Sequence, residues 1–209
     1  MAALADAVEL CAALGHELVE AGLPGLTEPV GAAIGTVFNA ATVWIIGYWI
    51  RRLGREPGPD DLEPLTRAFW EAGRAVSAAD YLLAVEETQR FSRVVAGFLS
   101  GSGSGGFDAF LTPTMSEPPA LLGEITSTPE EPFRALERGG RTVAYSAVVA
   151  NITGNPAMSV PLWWNGAGLP IGVHVLGRFG DEATLFRLAG QLEAARPWAG
   201  RRPAPLTGN

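Results

Sequence analysis

The chain has 209 residues, a formal net charge of −7 and a single cysteine, and it is 47% hydrophobic and 18% charged. That length suits one domain or two small ones, and the composition belongs to a folded globule rather than a disordered chain. One cysteine excludes an internal disulfide framework and a multi-cysteine metal site, and the acidic balance argues against a nucleic-acid partner, which needs clustered Lys and Arg.

Residues 2–14 carry Leu4, Val8, Leu10, Cys11 and Leu14 in one apolar stripe, which predicts a helix with Gly15 at its C-terminal cap. Asp6 and Glu9 interrupt the apolar residues and no basic stretch precedes them, so no secretory signal is expected and the cytoplasm is the expected compartment. His16 to Glu20 suits a short strand, and 22–29 a turn-rich connection. Val30–Ile50 is 21 residues without a formal charge, followed by Arg51 and Arg52. It is long enough to span a bilayer. Asn39, Thr36, Thr42 and nearby glycines dilute its hydrophobicity, so a buried core helix is the favoured expectation and a membrane-associated helix the alternative.

Residues 54–61 form a Pro/Gly/Asp loop, and Asp60 or Asp61 is placed to cap a helix carrying Leu62, Leu65 and Phe69. Ser77 with Asp80 three residues later resembles a capping box, opening a helix to about Leu99. Residues 1–100 are therefore mainly helical, 101–106 read as a Gly/Ser linker, and 107–209 as strands, turns and a closing helix. Phe107–Thr112 suits a strand stopped by Pro113, and 115–132, with Pro118, Pro119, Pro129 and Pro132, an irregular surface loop. Short helices are expected near 133–138 and over 142–150. Met158–Leu162 and Ile171–Leu176 read as strands joined by Asn165-Gly-Ala-Gly168 turn chemistry. In the second, Gly172, His174 and Leu176 share one face. Asp181 is placed to cap a last helix with Leu185, Leu188 and Leu192 on one side, ended by Pro197.

The chemistry available is narrow. All 15 basic residues are arginine, so the chain has no lysine and no Ser–Lys pair, Schiff-base lysine or P-loop lysine of its own. Gly101–Gly106 fits G-x-G-x-x-G, but a helix precedes it and a strand follows, the reverse of what a dinucleotide site requires. No register of that stretch fits G-x-S-x-G. His174, inside an alternating strand, is expected to be a packed core histidine, and His16, after a helix end, to be exposed. Cys11 is expected to be a small buried hydrophobe. Trp163 and Trp164 are expected to pack at core and edge. No carboxylate or histidine spacing suggests a metal, and no cofactor is expected.

Three stretches in order carry a family resemblance: Phe107-Asp-Ala-Phe-Leu-Thr-Pro-Thr114; Asn151-Ile-Thr-Gly-Asn-Pro-Ala-Met-Ser-Val-Pro161; and Gly168-Leu-Pro-Ile-Gly-Val-His-Val-Leu-Gly177 with Asp181-Glu-Ala-Thr-Leu185. Leu14-Gly-His-Glu17, Pro57-Gly-Pro-Asp60 and Ala194-Ala-Arg-Pro-Trp198 add to it. Together they resemble the C-terminal part of the amidase signature family, with a flavour of the cyclic-dimer amide hydrolases. The resemblance implies an α/β sandwich with a mixed sheet. It also implies amide hydrolysis through a Ser, cis-Ser, Lys triad and an acyl-enzyme. The triad and its Gly/Ser-rich signature lie upstream of the region resembled, and the lysine-free chain has no counterpart to them. The expectation is a C-terminal segment, inactive alone, whose partner is the missing N-terminal catalytic half and whose substrate in the complete enzyme is a small amide. A non-enzymatic subunit of a split amidase is the alternative. An apolar surface is expected where the missing half packs, with Val30–Ile50 a candidate. Tyr145, Val149, Asn151 and Thr153, leading into the Thr-Gly-Asn-Pro turn, are the candidate substrate-binding residues, because loops at strand ends tend to form sites. The alternative for them is structural, with Gly154 and Pro156 setting a turn and Asn151 satisfying backbone groups.

Overall fold

The computed structural model describes residues 1–25, 27–101, 106–143 and 145–202, excluding the side chains of Tyr145 and Ser146. The elements run α1 (Ala2–Ala13), α2 (Glu28–Leu53), α3 (Pro64–Gly73), α4 (Ala78–Ser100), β1 (Ala109–Pro113), α5 (Arg134–Thr142), α6 (Tyr145–Thr153), β2 (Ala157–Trp164), β3 (Pro170–Gly177) and α7 (Glu182–Ala195). Among the described residues the strands form one sheet of order β1-β3-β2, with both pairings antiparallel.

Helices cover the two faces of this sheet. On one face, Val160, Leu162, Val173 and Val175 meet Ala7 and Cys11 of α1 and Leu185, Leu188 and Leu192 of α7. On the other, Leu176 meets Phe91, Val95 and Leu99 of α4, Val149 and Ala150 of α6, and Val30 of α2. Alternation along the strands produces this split, since Val173 and Val175 point to one side and Leu176 to the other. β3, paired on both edges and covered on both faces, is buried from Val173 to Gly177.

Local sequence signals account for most boundaries. Ser77 Oγ accepts from the Asp80 amide at 3.1 Å while Asp80 accepts from the Ser77 amide, so the capping box opens α4. Gly54 and Gly101 end α2 and α4 in the left-handed region, which costs glycine little. Asp181 accepts from the Thr184 amide and starts α7. Asn165 Oδ1 accepts from the Ala167 and Leu169 amides and closes the β2–β3 turn. The 102–105 part of the Gly/Ser stretch lies outside the described residues.

Several expectations are corrected. Residues 16–20 form no strand. His16 is half-buried rather than exposed, its ring Nε2 3.1 Å from Gln191 Oε1. α3 begins at Pro64 without a side-chain cap, because Asp61 instead binds Arg55 and the Gly58 amide. The uncharged helix exists, but it is not a core helix. Only 17% of its most apolar stretch is buried, and Phe38, Trp44, Ile45, Tyr48, Trp49 and Leu53 stand exposed. Its inner side packs on α3 and α4. A Cβ on Gly73 would lie 2.2 Å from the Asn39 carbonyl oxygen, so only glycine permits the α2–α3 approach. The exposed apolar surface anticipated for this helix is present.

Candidate functional site

The candidate residues sit on α6 and the turn that follows it. At helical spacing, positions 145, 149 and 153 share one side and position 151 lies opposite. Val149 is fully buried against α4 and β3, and Thr153 is buried with its hydroxyl donating to the Val149 carbonyl at 2.9 Å. Asn151 is exposed. Tyr145 opens the helix, with its side chain outside the described residues. Thus the fold brings Val149 and Thr153 together on the inner side of α6 and sends Asn151 outward.

The turn holds a residue that the sequence reading passed over. Gly154 takes φ 73° and its amide donates to the Ala150 carbonyl, ending α6. Asn155 is buried, and its Nδ2 donates to the Gly177 carbonyl at 2.8 Å. Pro156 explains this bond. Gly177 and Pro156 face each other in the ladder, and the Gly177 amide donates to the Pro156 carbonyl at 2.8 Å. An ordinary residue at 156 would return an N–H to the Gly177 carbonyl, but proline has none. The Asn155 side chain supplies the missing donor. The backbone-satisfying role weighed for Asn151 therefore belongs to Asn155.

Beyond this turn the same sheet face becomes polar. Register places Thr112 of β1 and Ser159 of β2 on either side of His174 in β3. Thr114 Oγ1 and Ser159 Oγ are 2.6 Å apart over Gly172. A Cβ on Gly172 would stand 2.4 Å from Ser159 Oγ and 2.7 Å from Thr114 Oγ1, so this hydroxyl pair requires glycine beneath it. His174 is buried, as expected, and burial pushes its imidazole below the ordinary 6.5, favouring the neutral ring. The sequence already placed Gly172 and His174 on one face. What it hid was the long-range pairing that carries Thr112 and Thr114 across from residues some 60 positions later.

Two cavities flank the sheet and the helical layer. A groove of about 810 Å³ runs along β1, lined by Cys11, His16, Glu17, Leu111, Arg187 and Gln191 among others. A smaller cavity of about 300 Å³ lies at the C-terminal end of α2, between Trp49, Leu53 and Leu62. None of Val149, Asn151 and Thr153 lines either. Among the described residues no cluster of three or more His, Cys, Asp or Glu could hold a metal ion.

The profile of the Amidase family matches residues 1–186. The chain belongs to the amidase family. This amidase chain is 29% identical over 210 residues to a 6-aminohexanoate-cyclic-dimer hydrolase of Pseudomonas sp. (strain NK87), and 28% identical to the enzyme of that name from Paenarthrobacter ureafaciens. Each match covers 98% of this chain but 42% of the relative, so the chain spans well under half the length of these relatives. A solved 6-aminohexanoate cyclic dimer hydrolase, complexed with substrate, superimposes on 97% of the chain and on 42% of its own, with TM-score 0.81 and 26% identity. A bacterial aryl acylamidase of the amidase signature family shares the fold at 19% identity and TM-score 0.64.

Proposed function

We propose that this chain is the C-terminal part of a hydrolase of small amides, and that a separate stretch of polypeptide supplies its acyl-transfer chemistry. The observation that carries the reading is the pairing of a family match over residues 1–186 with a chain that has no lysine and covers 42% of its relatives. A serine hydroxyl attacks an amide only when a neighbouring base takes its proton. Thr114 and Ser159 hydrogen-bond each other, and His174, the register partner of Ser159, is made a weaker base by its burial. The family triad, as the resemblance gives it, needs a lysine and two serines from elsewhere. On this reading the described chain shapes one wall of the substrate pocket, with Asn151 exposed on the outer side of α6 and Val149 and Thr153 setting that helix in place.

The test is complementation. The chain is assayed on 6-aminohexanoate cyclic dimer alone and after co-expression with the part of the Paenarthrobacter ureafaciens hydrolase that it does not match. No turnover alone, turnover on co-expression and at least a tenfold lower rate for Asn151→Ala support the reading. Amide hydrolysis by the purified chain alone overturns it. A second reading sets α2 against a bilayer, favoured by its exposed Trp44, Tyr48 and Trp49. Detergent-dependent extraction that survives a salt wash would favour that reading.

A further inference from the structure

α2 presents different faces along its length. Val30, Ala33 and Ile46 are buried, and the Asn39 carbonyl lies against Gly73 of α3. At about 100° per residue, Phe38, Ala41, Ile45, Tyr48, Trp49 and Arg52 fall within roughly 60° of the Ile45 direction, and each is exposed. Trp44 and Leu53 flank this stripe and are exposed as well. No carboxylate occurs between Pro29 and Arg55. The aromatic side chains are already held in place. Phe38 stacks on Phe69 of α3 with ring centroids 6.4 Å apart, Tyr48 and Trp49 meet edge to face at 5.3 Å, and Arg52 Nη1 donates to the Tyr48 hydroxyl at 3.4 Å. Rigid aromatic and arginine side chains are the usual anchors of an interface, and little side-chain entropy is left for them to lose on binding.

The extent of this face favours a protein surface over a bilayer. From Phe38 to Leu53 the stripe is about 22 Å long, short of the roughly 30 Å hydrocarbon core, and the first turns of α2 are committed inward by Val30 and Ala33. A net charge of −7 also opposes an anionic lipid surface. Phe38, Trp44, Ile45, Tyr48, Trp49 and Leu53 are between 42% and 70% exposed. At about 200 Å² for each large side chain they present roughly 650 Å², close to the 800 Å² or so that each partner gives to a standard interface.

We propose that this face of α2 pairs antiparallel with the same face of a second copy of the chain, about a two-fold axis through Ile45. A two-fold contact is self-complementary, so each residue before Ile45 meets the one equally far after it in the other copy. Ala41 is the one small exposed residue between Phe38 and Arg52, and this register seats the Trp49 indole of the second copy on it. The Arg52 guanidinium then lies against the Phe38 ring, a cation–aromatic contact made twice. A shift of one turn in either direction loses this fit, because it sets Arg52 against Ile34 or Phe38 against Glu56. An interface of this size lies toward the weak end, with an expected dissociation constant on the order of 10 μM, and below that concentration the face stays open.

Sedimentation equilibrium of the purified chain, at concentrations bracketing that constant, should show the average mass rising from one chain to two. Trp49→Ala and Ala41→Trp should each weaken pairing at least about tenfold, and the double variant, which again sets a large residue against a small one, should return to within about threefold of the parent. Both positions are exposed, so the dilute variants should keep the parent's thermal midpoint. Under mild oxidation by copper phenanthroline, Ile45→Cys should cross-link two copies across the axis. Ala32→Cys, exposed on the same helix but far from the axis, should not, and the native Cys11 is buried. A chain that stays monomeric overturns the proposal, as does a double variant no stronger than the single ones, or equal cross-linking at 32 and 45. Flotation with phosphatidylcholine–phosphatidylglycerol vesicles in place of dimer formation overturns it in favour of a lipid surface. The Ile45→Cys cross-link is also read with the unmatched part of the Paenarthrobacter ureafaciens hydrolase co-expressed. Its loss in a one-to-one complex overturns the pairing by giving this face to that part. Failure of the two parts to associate overturns the proposed function, and the pairing is then decided by the chain alone.

Discussion

Replacing Asn155 by alanine removes the donor that stands in for the Pro156 N–H and leaves the Gly177 carbonyl without one. Gly177 is buried, so water does not restore the bond. A buried acceptor left unsatisfied costs about 1–3 kcal/mol. We expect roughly 2 kcal/mol, a fall of about 1 M in the urea midpoint at a slope of about 2 kcal/mol/M. Tryptophan fluorescence follows the unfolding. The decisive comparison is a double-mutant cycle with Pro156→Ala, which returns a backbone N–H opposite Gly177. In that background Asn155→Ala should cost less than about half as much, because the ladder now supplies the donor. Equal costs in both backgrounds would refute the argument, as would an Asn155→Ala midpoint within 0.2 M of the parent.

Gly73→Ala should destabilise by about 1–3 kcal/mol, since its methyl enters the Asn39 carbonyl; thermal unfolding reads it. His174 is held below its ordinary value of 6.5 by burial, so the unfolded chain binds the proton more readily. Stability is then fully present above pH 6.5 and falls as pH drops below it, and His174→Gln should flatten that limb of a urea-midpoint profile. Asp80 is lowered by its hydrogen bonds to Ser77, so its contribution is present above the ordinary 3.8 and is lost as pH falls through the lowered value. Ser77→Ala removes the hydroxyl but keeps the backbone N–H at 77, so it should reduce that acid-side loss without abolishing it. The exposed side of α2 should bind a hydrophobic dye, and replacing Trp44, Tyr48 and Trp49 with glutamine should lower dye signal without lowering the thermal midpoint.

The sequence disclosed whatever is encoded within a few residues. The Ser77–Asp80 box, the Asp181 cap, the Asn165 turn and the alternating valines of β3 are contacts between near neighbours, and all stand where the pattern put them. α2 misled because the absence of charge reads as burial. Lack of charge states what a surface can bury, and not whether this chain covers it. The candidate site was legible as a segment and not as an arrangement. Which of Val149, Asn151 and Thr153 faces inward depends on α4 and β3, far along the chain. Asn155 escaped because its purpose lies in a partner 22 residues away and in what Pro156 lacks.

The order β1-β3-β2 also bears on the route by which the chain folds. β2 and β3 are joined by a five-residue turn, and α7 follows β3 after four residues, so this half of the sandwich can form from short loops. β1 must instead close a loop of 56 residues to reach β3, and α1 must return from the far end of the chain, where Asp6 meets Arg196. Longer closures cost more entropy before any contact rewards them. The β2–β3 hairpin with α7 is therefore the expected nucleus, and β1 and α1 are late arrivals. During that interval β3 itself presents an open edge. Any strand competing with β1 for that edge would act on the folding chain, before the native sheet is complete.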